Sequence, residues 1–273
     1  MRINLILNVC FGLGIALGLL FAGTASATIG GGSRITNTAT DESKSKILSK
    51  VYSLQIPFIE NKGQIDEKVR FYVNTFAGTV FITDKGEILY NLINTEAESQ
   101  ETKAVMIKES SGSLKKSEVK GINKAETKVN YFVGDKDRWK RDIPTWQEVS
   151  IGEVYEGIEL KLRAYGNSVE KLFEVHPQGS VSEIKLKIEG SKGLRAGKDG
   201  ELEIETELGT VKFTKPVAYQ EINGRRVEVA AAYRISQSEY GFQVGDYDRS
   251  KTLIIDPVLC FLVFSTLPQP SLT

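Results

Sequence analysis

The sequence predicts an all-β, mainly antiparallel fold, and two observations carry that prediction. Apolar and charged side chains alternate with a period of two in several segments of the second half, as between Ile158 and Ala164. This alternation places apolar side chains on one face of a strand and charged ones on the other, which is typical of antiparallel sheets with one wet face. Turn sequences separate these segments about every eight to twelve residues, the spacing of sandwiches and barrels.

The strands and their turns follow from the same signals. Asp84–Gly86 separates two β-prone runs, 79–83 and 87–90, and Asn223–Gly224 is the strongest type of two-residue hairpin signal. Further strands are predicted at 69–73, 104–107, 158–164, 184–188, 201–208 and 227–231. The last of these is expected to bury its apolar side chains, Val227, Val229 and Ala231.

The N-terminus resembles an export signal. A short basic start at Met1–Arg2, an almost wholly apolar run from Leu5 to Ala22 and an A-x-A site at Ala25–Ala27 predict a secretory signal peptide over residues 1–27. A membrane anchor that stays attached is the alternative. The predicted location is therefore secreted or cell-surface, with no membrane span after cleavage. Residues 28–52 read as a flexible leader with a short helix that begins at Lys44.

The rest of the chain is predicted to form two sandwich-like β units in series, 53–150 and 151–258. A short echo supports two related units, because Val133–Arg138 and Val244–Arg249 share the pattern V-G-D-x-D-R. Residues 259–273 are an apolar tail. We expect Val258–Phe264 to pair as a strand or to dock on a partner. Cys260, the one cysteine left after signal cleavage, is expected to be a small buried hydrophobe.

Charge excludes some partners. The chain has 35 basic and 35 acidic residues, interspersed along its length. Nothing in this balance indicates a nucleic-acid or anionic-membrane partner. No dinucleotide fingerprint, Walker loop or C-x-x-C pair is present, so the sequence predicts no cofactor other than a possible calcium ion.

Four segments in order resemble a known family. They are 58–64, then 130–134 with Trp139 and 144–145, then 154–160 followed by 165–167, and finally 215–220 followed by 245–248 and 253–257. Together they are similar to the N-terminal β-domain of unknown function that precedes SBBP-type β-propeller repeats in secreted bacterial proteins. The resemblance implies a secreted or surface-exposed β protein and implies no activity. The sequence ends at Thr273 without propeller repeats, so a truncated propeller protein and a standalone relative both remain open.

Two tryptophans are the candidate ligand-binding residues. Trp139 and Trp146 lie in a charged segment, and two tryptophans there can form a carbohydrate platform or a partner site. Packing between the two β units is the alternative for both, and it is the interpretation that we favour.

Two Gly-Asp-x-Asp turns are the candidate metal sites. Asp135 with Asp137, and Asp246 with Asp248, offer the oxygen ligands that calcium prefers. The alternative is that these side chains close turns by hydrogen bonds to the backbone.

The sequence favours a non-enzymatic protein. One carboxylate pair, Glu60 with Asp66, is the best local candidate for hydrolysis, and the only histidine, His176, precedes a proline without a nucleophile motif nearby. We therefore expect a secreted or surface structural or interaction module that binds an unknown protein or surface glycan. A carbohydrate-binding module is the first alternative, and a carboxylate-based hydrolase is the second.

Overall fold

The computed structural model describes residues 53–76, 78–95, 102–111 and 118–260. Every strand pairing among them is antiparallel. The helical elements of this part of the chain are two 3-10 turns, Lys136–Arg138 and Val181–Glu183. The prediction of a mainly antiparallel all-β fold is confirmed. The predicted signal peptide, leader and helix lie outside the described residues.

The described residues form nineteen strands, numbered here in chain order. They are β1 (Phe58–Glu60), β2 (Val69–Thr75), β3 (Gly78–Thr83), β4 (Ile88–Thr95), β5 (Thr102–Ser111), β6 (Lys120–Tyr131), β7 (Lys140–Tyr155), β8 (Ile158–Tyr165), β9 (Ser168–Val175), β10 (Leu186–Glu189), β11 (Gly193–Ala196), β12 (Leu202–Thr206), β13 (Gly209–Phe213), β14 (Val217–Ile222), β15 (Arg225–Val229), β16 (Ala231–Ser236), β17 (Glu239–Val244), β18 (Leu253–Asp256) and β19 (Val258–Cys260).

One continuous hydrogen-bonded sheet connects these strands. β5, β4, β3, β2, β1, β7, β8 and β9 pair in succession. β9 then pairs with β18 along its second half and with β19 along its first half. β10 bridges β5 and β17, and so joins the two halves of the chain a second time. The predicted boundary near Ser150 falls inside β7, and the sheet is continuous across it.

The sheet encloses one main core of aromatic and aliphatic side chains. In β2, Phe71 and Val73 face this core, whereas Tyr72 between them belongs to a small second cluster on the opposite face. β8 alternates between buried and half-buried side chains along its whole length, as its sequence predicts. Burial of apolar side chains is the main favourable contribution to folding.

The predicted hairpin turns form where expected. Asn223 and Gly224 have φ values of 52° and 73°, the left-handed pair that a two-residue turn between β14 and β15 requires. Val227 contradicts its prediction, because it is 44% exposed. Its cross-strand neighbour Gln220 in β14 is covered by the segment 246–251. Val227 lies one strand further out, in β15, beyond this segment.

The apolar run that begins at Val258 enters the sheet. Its first three residues form β19, which pairs with β9 on one side and β13 on the other. Residues 261–273 lie outside the described part of the chain.

Candidate functional site

The β6–β7 hairpin is an arm with an exposed outer strand. β6 has 12 residues, none of them buried. Among the described strands, β6 pairs with β7 and with no other. A strand of this kind presents its free edge and the tip of its hairpin to solvent.

The tip of this arm, residues 132–141, carries an exposed aromatic pair flanked by cations. Phe132 is 47% exposed and Trp139 is 37% exposed, with ring centroids 5.2 Å apart and planes inclined by 59°. Lys136 Nζ lies 5.9 Å from the Trp139 ring, and the Arg141 guanidinium lies 5.3 Å from the Phe132 ring. These separations are within the range of cation–π attraction.

The tip is held by its backbone. Gly134 has a φ of 73°, which a glycine adopts without strain. Its carbonyl accepts a hydrogen bond of 3.1 Å from Trp139 Nε1. This bond fixes the indole edge inward and leaves the ring partly open to solvent.

Trp146 has a different environment from Trp139. It packs against the main core, and its Nε1 donates a hydrogen bond of 3.2 Å to Glu60 Oε2. Gly121 of β6 lies against the indole, and a Cβ at that position would clash with the ring. The structure therefore places Trp139 with Phe132 at the tip and Trp146 at the root of the arm.

The four candidate calcium ligands lie in two turns. Asp135 and Asp137 are exposed at the tip. Asp248 accepts hydrogen bonds from the backbone N and the Oγ of Ser250, which lower the pKa of its carboxyl. Among the described residues, none of these aspartates belongs to a group of three or more potential ligands close enough to share a metal ion. Calcium binding stays a prediction.

One such group exists elsewhere in the described chain. Glu159 lies directly opposite Glu174 in the β8–β9 register, and His176 follows two residues later, with ligand atoms of all three within 4.8 Å. Lys161 already occupies this position, because its Nζ lies 2.7 Å from both carboxylate oxygens of Glu174. His176 Nδ1 lies 3.3 Å from Thr252 Oγ1. The cluster is chemically able to hold a metal only if Lys161 moves away.

The candidate hydrolytic carboxylates take part in local structure. Glu60 is buried and accepts hydrogen bonds from Lys62 at 2.6 Å and from Trp146. Asp66 Oδ1 accepts the backbone N–H of Lys68 at 2.9 Å. Both oxygens of Glu60 therefore have partners from its own neighbourhood.

Two segments that carried the family resemblance each contain a buried glutamine that holds a turn. Gln64 is 1% exposed, donates to the Glu60 carbonyl and accepts the Lys62 N–H, so it closes the turn after β1. Gln220 is equally buried and clamps the turn after β17 through the backbone N and O of Asp248. These motif residues have structural roles.

A buried polar cluster was missed by the sequence reasoning. Lys171 in β9 is 0% exposed, and its Nζ lies 2.8 and 2.9 Å from the two carboxylate oxygens of Glu109 in β5. Tyr240 and Tyr90 donate hydrogen bonds of 2.7 and 3.0 Å to the same carboxylate. The alternation of side chains along β9 was the available signal, because it places Lys171 on the same strand face as Val169 and Phe173.

A family model described as a domain of unknown function, DUF7948, matches residues 58–258. The chain belongs to this family. Neither the comparison with curated proteins nor that with solved structures gave a match. No helix in the described part of the chain is long and apolar enough to cross a membrane.

Proposed function

We propose that this domain is a non-enzymatic interaction module that contacts a protein partner through the tip of the β6–β7 arm. The observation that carries the proposal is the exposed Phe132–Trp139 pair with its flanking cations. Tryptophan, other aromatics and arginine are enriched where protein interfaces concentrate their binding energy. The same composition on a free hairpin tip favours a contact site over a core element.

The root of the arm supports this role. Trp146 is fixed by Glu60, and Thr145 Oγ1 donates a hydrogen bond of 2.5 Å to the Thr127 carbonyl across the hairpin. The first contact anchors β7 to the body and the second ties β7 to β6, while the tip stays open. A pre-ordered tip loses little conformational entropy on binding.

We further propose that the domain acts outside the cell or on its surface. The basic start, apolar run and A-x-A site of residues 1–27 motivate this location. The proposed role is that of an exported module that positions or adheres by a rigid β scaffold. The link to propeller repeats is part of the same proposal.

Carbohydrate binding is the second candidate, and the exposed Trp139 ring favours it. Sugars stack on flat aromatic faces. The Phe132 ring is inclined by 59° to the indole, so a sugar would stack on Trp139 alone and not on a flat two-ring platform. This geometry ranks the protein partner first.

The test uses a photo-crosslinking amino acid at position 132, with position 227 as a matched exposed apolar control. We expect one protein from the surface fraction of the source cells to crosslink from position 132 and not from 227. Trp139→Ala in the same chain should abolish that band. Crosslinks of equal strength from both positions, or a band that survives Trp139→Ala, would contradict the proposal.

A glycan array separates the second candidate. Binding that Trp139→Ala removes would replace the protein-partner proposal with a carbohydrate-binding one. The matched control is Val227→Ala, which removes an exposed apolar side chain far along the sequence from the tip.

A further inference from the structure

A concave pocket of about 280 Å³ opens beside the last hairpin of the chain. Its floor is apolar and includes Phe242 of β17, which is 1% exposed. The polar groups around it come from three directions: the 3-10 turn at 180–183, strand β16, and the segment after β17. An apolar floor with a few convergent polar groups is the usual construction of a small-molecule site.

The polar lining is cationic. Two guanidinium groups, those of Arg234 and Arg249, line the pocket, and its lining contains no carboxylate. Among the described residues, neither arginine forms a salt bridge. The chain as a whole has equal numbers of acidic and basic residues, so this local excess of positive charge is not a consequence of composition.

Both guanidinium groups belong to exposed side chains that have contacts at the pocket. The Nη2 of Arg234 donates to the Ser182 carbonyl at 2.9 Å, and also lies 3.5 Å from the Ile184 carbonyl. The guanidinium carbon of Arg249 lies 5.5 Å from the centroid of the Tyr247 ring, within cation–π range. The planar fork of a guanidinium group can recognise a carboxylate by two parallel hydrogen bonds.

Neutral donors complete the lining. Ser180 Oγ and Ser182 Oγ lie 2.8 Å apart at the pocket, and either can donate to the other. Such a pair offers hydroxyl groups that can exchange hydrogen bonds with the hydroxyls of a ligand. Tyr247 adds an aromatic ring at the same opening.

The sequence builds one wall of the pocket from the Val244–Arg249 turn. Gly245 N donates to the Ala230 carbonyl at 2.8 Å, and Gln220 holds both the N–H and the carbonyl of Asp248. These bonds place Tyr247 and Arg249 at the opening. Asp248 therefore helps to shape the turn, while Tyr247 and Arg249 on either side of it line the pocket.

We propose that this pocket binds a hexuronic acid, either free or at the end of a chain, with the carboxylate on Arg234 and Arg249. The volume is close to the lower limit for small-molecule pockets and suits one sugar ring. The aromatic ring and the serine hydroxyls match the apolar face and the hydroxyl groups of the sugar, and the arginines match its charge. This site is separate from the hairpin tip in both residues and ligand chemistry.

The experiment is a titration of the full-length protein with galacturonate and glucuronate, followed by saturation-transfer NMR and calorimetry. Galactose and glucose are the matched neutral ligands, and acetate and phosphate are the simple anions. We expect a uronate to bind at least about tenfold more tightly than its neutral sugar, because a charge-assisted bidentate pair contributes more than the 1.4 kcal/mol that this factor requires.

Two variants assign the binding to the pocket. Arg249→Gln should weaken uronate binding about tenfold or more, and Arg234→Lys should weaken it while keeping the charge. Unchanged near-UV circular dichroism would show that both variants remain folded. Trp139→Ala is the matched control and should leave uronate binding unchanged, so this proposal and the hairpin-tip proposal fail independently.

Several outcomes would overturn the proposal. Neutral sugars that bind as tightly as uronates would remove the role of the arginines. Acetate or phosphate binding as tight as uronate binding would reduce the pocket to a general anion patch. The absence of any uronate binding at millimolar concentrations would contradict the proposal. An affinity that Arg249→Gln leaves unchanged would show that this pocket is not the binding site. Crosslinking of a uronate photoprobe in Arg249→Gln at the wild-type level would place the ligand elsewhere.

Discussion

Two lysines of the β8–β9 hairpin each pair with a glutamate, and the two pairs differ most in burial. Lys161 of β8 meets Glu174 at 2.7 Å, and Lys171 of β9 meets Glu109 at 2.8 Å. The side chains of the first pair are 21% and 23% exposed, and those of the second are 0% and 1% exposed. Contact geometry is nearly equal, so the comparison isolates what burial does to an ion pair.

Burial makes the inner pair dependent on its neighbours. Desolvation lowers the pKa of Lys171, and the charge of Glu109 opposes that shift. The aromatic ring of Phe213 lies 3.7 Å from the ammonium. Burial, together with the charge of Glu109, raises the pKa of both Tyr90 and Tyr240 well above the usual range, so their hydroxyls stay protonated donors. The carboxylate of Glu109 is thus fully hydrogen-bonded.

The inner cluster also joins distant parts of the sheet. Its members come from β4, β5, β9 and β17, and one hydrogen bond, from Tyr240 to Glu109, joins residues 131 apart in sequence. The outer pair joins neighbouring strands of one hairpin. Loss of one inner member should therefore weaken the contact between the two halves of the chain as well as leave a charge unpaired.

The largest effect is expected for Lys171→Met. Methionine fills much of the volume but leaves the buried carboxylate of Glu109 without its cation, and breaking a buried pair in this way costs about 3–5 kcal/mol. Urea unfolding of the variant should show this loss in the free energy of unfolding. The double variant Lys171→Met with Glu109→Leu should recover part of it, because the unpaired charge is gone. A double variant no more stable than the single one would contradict this account.

Tyr240→Phe should have the next largest effect. It removes one donor to the Glu109 carboxylate and leaves the ring in place, for a cost of about 1–3 kcal/mol as a buried acceptor loses its partner. The control is Tyr165→Phe, whose half-buried hydroxyl bonds Glu170 at 3.4 Å and can be replaced by water. Equal losses in the two variants, measured by thermal unfolding, would show that burial of the acceptor does not matter.

How much of this arrangement the sequence predicts depends on the kind of residue. Alternation identified β8 and its neighbours, and Asn223–Gly224 identified its hairpin, because both signals are local. Lys171 and Glu109 fall at inward positions of their strands, yet a charge there carries no information about its partner 62 residues away. Sequence reasoning makes the same prediction for Trp139 and Trp146. They differ in the structure because Trp146 packs on Gly121 and donates a hydrogen bond to Glu60, and neither contact is visible in the sequence.

The pocket was missed for a similar reason. The Val244–Arg249 motif drew notice to its aspartates, because paired acids suggest metal binding. Gln220 bonds the backbone of Asp248 and Ser250 bonds its carboxylate, so this aspartate takes part in the turn, and Arg234 comes from another strand. A pocket assembled from three separate segments leaves no pattern with a fixed spacing.

Asp256 is an intermediate case that sharpens the comparison. Its Oδ1 is buried without a hydrogen-bond partner. Burial and the nearby charge of Glu170 raise its pKa to about 6, against the lowering effects of Arg226 and Arg163. An acid with a raised pKa destabilises the fold when it ionises, so its cost is absent below pH 3.8 and complete above about pH 6.

Asp256→Asn should therefore stabilise the protein at pH 7.5 by about 1 kcal/mol, after allowance for partial exposure. The advantage should shrink as the pH falls through about 6 and vanish near 4. Unfolding free energies of both proteins across this pH range are the measurement. Asp142→Asn, at an exposed position of β7, is the control for the same substitution at the surface. A stabilisation that does not vary with pH would remove ionisation as its cause.

The smallest effect is expected for Lys161→Met, and it decides what the comparison means. This substitution breaks an ion pair of the same length as the one broken by Lys171→Met, but water can solvate Glu174 once its partner is lost. Partly exposed pairs typically contribute about 0.2–1 kcal/mol, and salt screens what remains. Urea unfolding should place the loss in that range, with a smaller loss at high ionic strength. A loss as large as that of Lys171→Met would contradict this account. Burial is the reason for expecting a smaller loss at Lys161, so equal losses would mean that burial does not set the cost of breaking these pairs.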